Sequence, residues 1–197
     1  MGGELQAVYL ATRNDWPLFH GIIRKALAIG ADAAYRVDAV PQDSWYAASQ
    51  IAAFARGRNY DLILLGKETI DHNGSETGCL LAGILDLPYV AYASKLGVNG
   101  QTATLESEIE GGVKVSEVAL PLVVSCAKGM AEQRIPNMRG IMAARTKPLQ
   151  VIAVNPSDTK GHTLKFDLNP GRSECKYFTE EQLDELVNQL HTNAKVI

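Results

Sequence analysis

Apolar positions along the chain fall into two alternating rhythms. Residues 5–10 (Leu-Gln-Ala-Val-Tyr-Leu) form a short apolar run that predicts a strand. Asn14-Asp15-Trp16-Pro17 follows, with the turn and helix-start chemistry of polar caps before a proline. Leu18, Ile22, Ile23, Ala26, Leu27 and Ile29 then recur at helical spacing, and Gly30 stands where a helix C-cap glycine belongs. A second strand is predicted over 34–40 and an alanine-rich amphipathic helix over 44–56. The clearest strand covers 60–66 (Tyr-Asp-Leu-Ile-Leu-Leu-Gly). Its nearly continuous apolar run suits a strand covered on both faces, as in a parallel sheet. A polar loop to Gly78, a short helix over 79–85 and a strand over 88–94 continue the alternation. Strand and helix by turns predict an α/β fold with right-handed crossovers.

After Ser94 the rhythm changes. Residues 95–118 read as paired strands, reversed at Asn99-Gly100 and again at Glu110-Gly111-Gly112. An apolar strand returns over 119–125, followed by a basic loop and a short helix over 140–144. From Val154 the composition turns polar, with Pro156, Gly161, Pro170 and Gly171, which predicts an extended tail. Thr179 and Gln182 fit a capping box, and Leu183, Leu186, Val187 and Leu190 make one apolar stripe on a terminal helix. The expected organisation is an α/β domain over 1–154 and a tail over 155–197.

Composition narrows this picture only modestly. With 46% hydrophobic and 21% charged residues, the 197-residue chain is globular rather than disordered. Lysine plus arginine number 19 against 22 acids, a net charge of −3, which argues against a general nucleic-acid binder. Cys79, Cys126 and Cys175 are dispersed and odd in number, so neither a disulfide framework nor a zinc motif is expected. His20, His72, His162 and His191 lack metal-ligand spacing. No apolar run approaches the roughly 18 residues of a membrane span. Met1-Gly2-Gly3-Glu4 has neither signal nor transit character, so a bacterial cytoplasmic location is expected.

Candidate chemistry concentrates in the loop Gly66, Lys67, Glu68, Thr69, Ile70, Asp71, His72, Asn73, Gly74, Ser75, Glu76 and Thr77. It leaves a buried strand and enters a helix, the place where open α/β sheets bind ligands. Helix N-terminal N–H groups, with the Ser75 and Thr77 hydroxyls, could hold a phosphate. Asp71 could accept from a ribose hydroxyl or an adenine amino group. The same residues also read as a plain capped helix start, since Asn73 with Glu76 is a capping-box pattern. Spacing alone leaves both readings open.

Several ordered segments carry a resemblance. Residues 61–67 (Asp-Leu-Ile-Leu-Leu-Gly-Lys), Ile70-Asp71 and Thr77-Gly78 are followed by Ala93-Ser94-Lys95, 108–112 (Glu-Ile-Glu-Gly-Gly) and 120–125 (Leu-Pro-Leu-Val-Val-Ser). Glu132-Gln133-Arg134, 141–144 (Ile-Met-Ala-Ala) and, upstream, 26–32 (Ala-Leu-Ala-Ile-Gly-Ala-Asp) complete the set. Together they resemble the β subunits of electron-transfer flavoproteins. The resemblance implies a Rossmann-like parallel sheet of the adenine-nucleotide-binding, universal-stress-like type, with a β-hairpin region and an extended C-terminal tail. It further implies a heterodimer with an α subunit that carries FAD, and AMP held structurally by residues 66–77, with the phosphate near Ser75, Glu76 and Thr77. Such a subunit carries electrons between partners and is not a catalyst by itself. The family usually has an amide where Glu76 stands, and a carboxylate beside a phosphate is repelled unless it turns away or is protonated. The resemblance also implies a further strand-and-helix unit of roughly 50 residues ahead of Gly2, without which apolar sheet edges would be exposed.

A second constellation is basic. Between Cys126 and Pro148, Lys128, Arg134, Arg139, Arg145 and Lys147 face one acid, Glu132. By itself this reads as a solvated loop. By resemblance it is the loop that recognises a partner flavoprotein dehydrogenase, with Met138 as its apolar anchor and Arg134, Ile135, Arg139, Ile141, Met142 and Arg145 around it. Glu108 is, on the same ground, a candidate at the flavin interface; an exposed strand-end acid is its plainer reading. Two other classes of function compete. One is a stand-alone nucleotide-binding regulatory module of universal-stress-like fold. The other is an enzyme using Cys79 or Asp71, which has only the loop's position in its favour.

Overall fold

The computed structural model describes residues 3–10, 16–70, 73–171 and 174–196. In chain order the elements are β1 (Gln6–Leu10), α1 (Trp16–Ile29), β2 (Ala33–Val37), α2 (Ser44–Ala55), β3 (Leu62–Gly66), α3 (Thr77–Leu85), β4 (Tyr89–Asn99), β5 (Thr102–Ile109), β6 (Gly112–Ala119), β7 (Leu122–Cys126), α4 (Met138–Ala144), β8 (Leu149–Ile152) and α5 (Leu183–Gln189). The helix-start signal at Asn14-Asp15 lies outside the described residues. The chain divides into two units, Met1–His162 and Thr163–Ile197.

In the first unit the strands form two sheets. One has the order β1-β2-β8, parallel throughout; the other runs β3-β7-β4-β5-β6. β3, β7 and β4 are parallel, and β4, β5 and β6 are antiparallel, joined by the two predicted reversals. The alternation of strand and helix therefore gives the expected α/β architecture, with a β-hairpin extension on one side. β8 had no signal of its own in the sequence; it exists because β2 offers it a partner, Ala34 to Leu149 through Val37 to Ile152.

β4 runs to Asn99 instead of stopping at Ser94. Its first part pairs with β7 and its remainder with β5, and the register shifts between Ala93 and Lys95. Tyr92 has a φ of 54°, uncommon for an aromatic residue, and its N–H donates to Ser125 Oγ at 2.9 Å. The irregularity re-aims one strand so that it serves both a parallel and an antiparallel neighbour.

Burial on both faces, expected of residues 60–66, belongs instead to β7. Val123 packs with Ala48, Ala52, Leu81 and Ala82 beneath α2 and α3. Leu122 and Val124 point the other way, into a cluster with Ala93, Ala103 and Leu105. Among the described residues β3 pairs on one side only, with β7, and its Leu64 is 49% exposed. Among the same residues β1 pairs only with β2. Both edges lack the charges or prolines that usually blunt an open strand.

Residues 155–161 run back along α2. Asp43 caps α2 by accepting from the Tyr46 N–H at 2.6 Å, and its other oxygen accepts from the Lys160 and Gly161 N–H groups at 2.6 and 2.8 Å. Gln50, buried, exchanges two bonds with the main chain of Asn155 at 2.7 and 2.9 Å. Satisfying both ends of a buried amide avoids a cost of about 1–3 kcal/mol for each group left unpaired.

The second unit carries the terminal helix: a 3-10 turn (Glu180–Gln182), then α5, then a wider turn (Leu190–Ala194). Gln182 Oε1 accepts from the Thr179 N–H at 3.1 Å, the reciprocal arm of the expected capping box. Leu183 and Val187 of the apolar stripe are exposed.

Desolvation pushes the Asp43 carboxyl up, but the donations from Tyr46, Gly161 and Lys160, with the Lys160 charge, hold it below its ordinary value of 3.8. Its stabilisation is therefore complete above the ordinary carboxylate range and drains away as pH falls through the lowered value. We expect Asp43→Ala to cost about 0.5–2 kcal/mol, the usual range for a lost N-cap. In wild type, hydrogen exchange should show the Lys160 and Gly161 amides losing protection below pH 3.8; unchanged protection there would contradict this role.

Candidate functional site

Register fixes where the two candidate loops begin. Gly66 pairs with Cys126, Cys126 with Ala93, and Ala93 with Ser107, one row across four strands. Gly66 and Cys126 end their strands, so both loops leave neighbouring points on the carboxyl edge of the sheet, where parallel sheets bind ligands. Burial pushes the Cys126 thiol up, against a backbone hydrogen bond to Leu65, and the residue packs on the cluster around Leu122 and Val124. Glu108 sits one residue from this row on β5, exposed, beside the β5–β6 reversal.

The first loop is a tight excursion. Thr69 and Gly74 exchange backbone bonds at 2.7 and 3.3 Å, and Asn73 takes a left-handed φ of 52° to make the turn. Ile70 is exposed at its tip, and Asp71 and His72 lie outside the described residues. Lys67 reaches back, its Nζ 5.6 Å from the Tyr92 ring centroid and 3.9 Å from the Glu68 carboxylate. Ser75 and Thr77 are half-buried.

The capping box read from Asn73 and Glu76 does not form. α3 starts at Thr77, two residues earlier than its periodicity suggested, and this makes Glu76 itself the N-cap, in helical backbone and with no side-chain cap bond. The exposed Glu76 carboxylate thus leaves the first-turn N–H groups of α3, among the described residues, without a side-chain acceptor. Those donors and two hydroxyls suit a phosphate; the carboxylate next to them weakens the fit by its charge. Cys79 donates its thiol to the Glu76 carbonyl at 3.0 Å. Behind them, a Cβ on Gly78 would come within 3.0 Å of the Tyr89 ring, so this glycine sets how closely α3 approaches β4.

The second loop is held by its own cations. Lys147 Nζ donates to the carbonyls of Leu27 and Ala31 at 3.0 and 2.6 Å, around the C-terminus of α1. Arg134 donates to the Ile29 carbonyl at 3.4 Å. In return Arg24 of α1 donates to the carbonyls of Ala144 and Lys147 at 2.6 and 2.9 Å. Cations at a helix C-terminus meet both its unpaired carbonyls and its dipole, worth up to about 2 kcal/mol when partly buried. Two of the five loop cations therefore serve the fold.

What the loop presents outward is different. Asn137 caps α4 by accepting from the Gly140 N–H at 2.7 Å, a cap the sequence reading missed although an Asn before the helix is its usual signal. Met138 is the first residue of α4 and 74% exposed, Ile135 is 84% exposed, and Ile141 and Met142 are exposed beside them. Arg139 and Arg145 are exposed, and among the described residues their side chains have no hydrogen bond or ion pair. Structure thus brings Ile135, Met138, Arg139, Ile141, Met142 and Arg145 together, and draws Arg134 back to α1. Gly140 sets the spacing between α4 and α1. A Cβ there would lie 2.4 Å from the Ala28 carbonyl, so only glycine lets α4 cross α1 this closely.

Among the described residues no group of three or more His, Cys, Asp or Glu is placed to hold a metal. No helix there is long and apolar enough to cross a membrane.

Because the obstacle to Gly140→Ala is backbone, we expect the variant to push α4 off α1 at a cost of about 1–3 kcal/mol, as overpacking does. Thermal denaturation reads this as a loss of roughly 2–4 °C per kcal/mol for a chain of this length. Gly83→Ala, with open space around the added Cβ, is the control and should not lower the midpoint.

Residues 2–157 match the electron transfer flavoprotein domain family. The chain is 38% identical over 152 residues to an electron transfer flavoprotein subunit beta of Syntrophomonas wolfei, covering 77% of this chain and 60% of that protein. It is 33% identical over 189 residues to the subunit beta of Bacillus subtilis, covering 89% and 74%. To the human subunit beta it is 36% identical over 135 residues, covering 66% and 53%. It therefore spans between about half and three quarters of the length of these relatives. The chain belongs to the electron transfer flavoprotein family, among its β subunits.

Proposed function

We propose that the chain works as the β-type subunit of an electron-transfer flavoprotein, paired with an α subunit that carries FAD. Electrons would arrive from a flavoprotein dehydrogenase and leave to an acceptor through that FAD, which supplies the reversible one- and two-electron chemistry. The chain's own residues dock, orient and shield; none is proposed to make or break a covalent bond. The observation that carries this reading is a pair of loops on one carboxyl edge, one with uncapped helix N–H donors and one with an exposed apolar cluster, inside the span that matches the family.

Residues of the chain divide the work. Gly66, Lys67, Ile70, Asp71, His72, Asn73, Gly74, Ser75, Glu76 and Thr77 are the proposed nucleotide loop, with AMP as the nucleotide and its phosphate at the start of α3. Met138 is the proposed anchor for the dehydrogenase, with Ile135, Arg139, Ile141, Met142 and Arg145 around it; Arg134 supports the loop from behind. Val98, Ile109, Val113 and Val115, exposed on the hairpin strands, and the α5 stripe in 155–197 are proposed contacts for the α subunit. Glu108 lies on that same hairpin and is the proposed contact at the flavin interface.

Co-expression with a cognate α subunit is the direct test. A complex that co-elutes and retains FAD is expected; separate elution of the two chains would overturn the proposal. A homodimer that binds ATP or AMP with no flavoprotein partner would favour the stand-alone regulatory module.

The nucleotide loop makes its own prediction. Removing the Glu76 charge removes a repulsion of about 1 kcal/mol at 4 Å in water, more where solvent is excluded. We expect Glu76→Gln to bind AMP about fivefold more tightly than wild type by calorimetry. Equal affinities would place the phosphate away from α3.

A further inference from the structure

We infer that the groove between α1 and α4 is a socket for an apolar side chain carried on an acidic segment of a partner protein. The groove has a volume of about 450 Å³, and Ala28, Pro136, Ile141 and Ala144 give it an apolar lining. Lys25 and Arg145 also line it, and among the described residues no carboxylate does. Among the described residues the side chains of Lys25 and Arg145 make no hydrogen bond or ion pair, so their charge is available to an incoming ligand. In a chain of net charge −3, an apolar slot whose described charged neighbours are all cations selects for apolar groups flanked by carboxylates.

The socket is built in advance. Gly140 lies against the Ala28 carbonyl, and Arg24 ties α1 to the carbonyls of Ala144 and Lys147. Its walls thus lose little freedom on binding, which favours affinity. The occupant is a protein segment rather than a small molecule because the apolar surface does not stop at the groove. It continues onto Met138, Met142 and Ile135, all exposed on α4 and the loop before it. Contact would then be reciprocal: Met138 projects as a knob, while the groove beside it receives one.

This inference rests on reading the basic loop as the face that meets the dehydrogenase, and its test does not need that dehydrogenase. The full chain is titrated with a fluorescent synthetic peptide carrying a single leucine flanked by glutamates. Fluorescence anisotropy reports affinity, and methyl NMR reports which residues shift. Saturable binding is expected, with shifts at Ile141, Ala28 and Ala144, weakening as salt screens the charges. Replacing the peptide's leucine by serine, or its glutamates by lysines, should weaken binding at least about tenfold. Ile141→Ser and Arg145→Glu in the protein should each do the same, while Gly83→Ala, on α3 and outside the groove lining, should leave peptide binding unchanged. If Ile141→Ser fails to fold by circular dichroism, the exposed Arg145→Glu and Lys25→Glu variants carry the test.

No saturable binding, or binding indifferent to the leucine or to these variants, overturns the socket. Displacement of the peptide by an equal concentration of octanoate would make the groove a small-molecule site and overturn the protein partner. The two proposals fail separately. A complex with the α subunit but no peptide binding removes the socket alone, and peptide binding without that complex removes the subunit assignment alone.

Discussion

Burial of β7 on both faces is the constraint from which the carboxyl edge of the larger sheet takes its form. Three consecutive side chains, Leu122, Val123 and Val124, are buried to opposite sides, one layer under α2 and α3 and the other against β4 and β5. Fully burying such side chains contributes about 1.5–3 kcal/mol each, and a one-residue slip would exchange the two layers. Register is therefore held tightly in the middle of the sheet, and Cys126 must end where Gly66 ends. Both loops inherit their starting points from that alignment. A site assembled at this edge is positioned by core packing several residues away, not by the loops themselves.

The alternation of apolar segments was enough to read the α/β class, the two hairpin reversals and most element positions, because those depend on local periodicity and turn chemistry. Three features were not legible. β8 is four residues with no pattern of its own and exists only by pairing with β2. The double burial assigned to 60–66 passed to β7, because coverage is settled by neighbours across the sheet, and β3 has one only on a single side. The capping box at Asn73 failed because the helix started later than Asn73 yet earlier than its apolar spacing suggested, putting Glu76 at the N-cap. In the second loop, residue type was read correctly as basic, but not the division of labour. Which cations turn inward depends on where the C-terminus of α1 lies, and that is set by contacts more than a hundred residues apart in sequence.

That division gives one basic segment two kinds of cation, some bound into the fold and some standing in solvent. Lys147 is half-buried between two carbonyl oxygens, at 2.6 and 3.0 Å, where salt reaches poorly. Arg139 and Arg145 stand in solvent, where their field extends about 8 Å at physiological ionic strength and fades as salt is added. Raising ionic strength should thus weaken long-range attraction while the loop keeps its shape. If the proposed function holds, attraction that is screened and shape that is not would let the subunit meet a partner quickly and leave again. On the proposed reading, charge at the rim would raise the rate of encounter, while the exposed Met138 and Met142 on a short helix would add too little buried area to hold the complex for long. Gly140 joins the two properties: by letting α4 lie on the Ala28 carbonyl, it fixes the helix that carries Met138 and both free arginines.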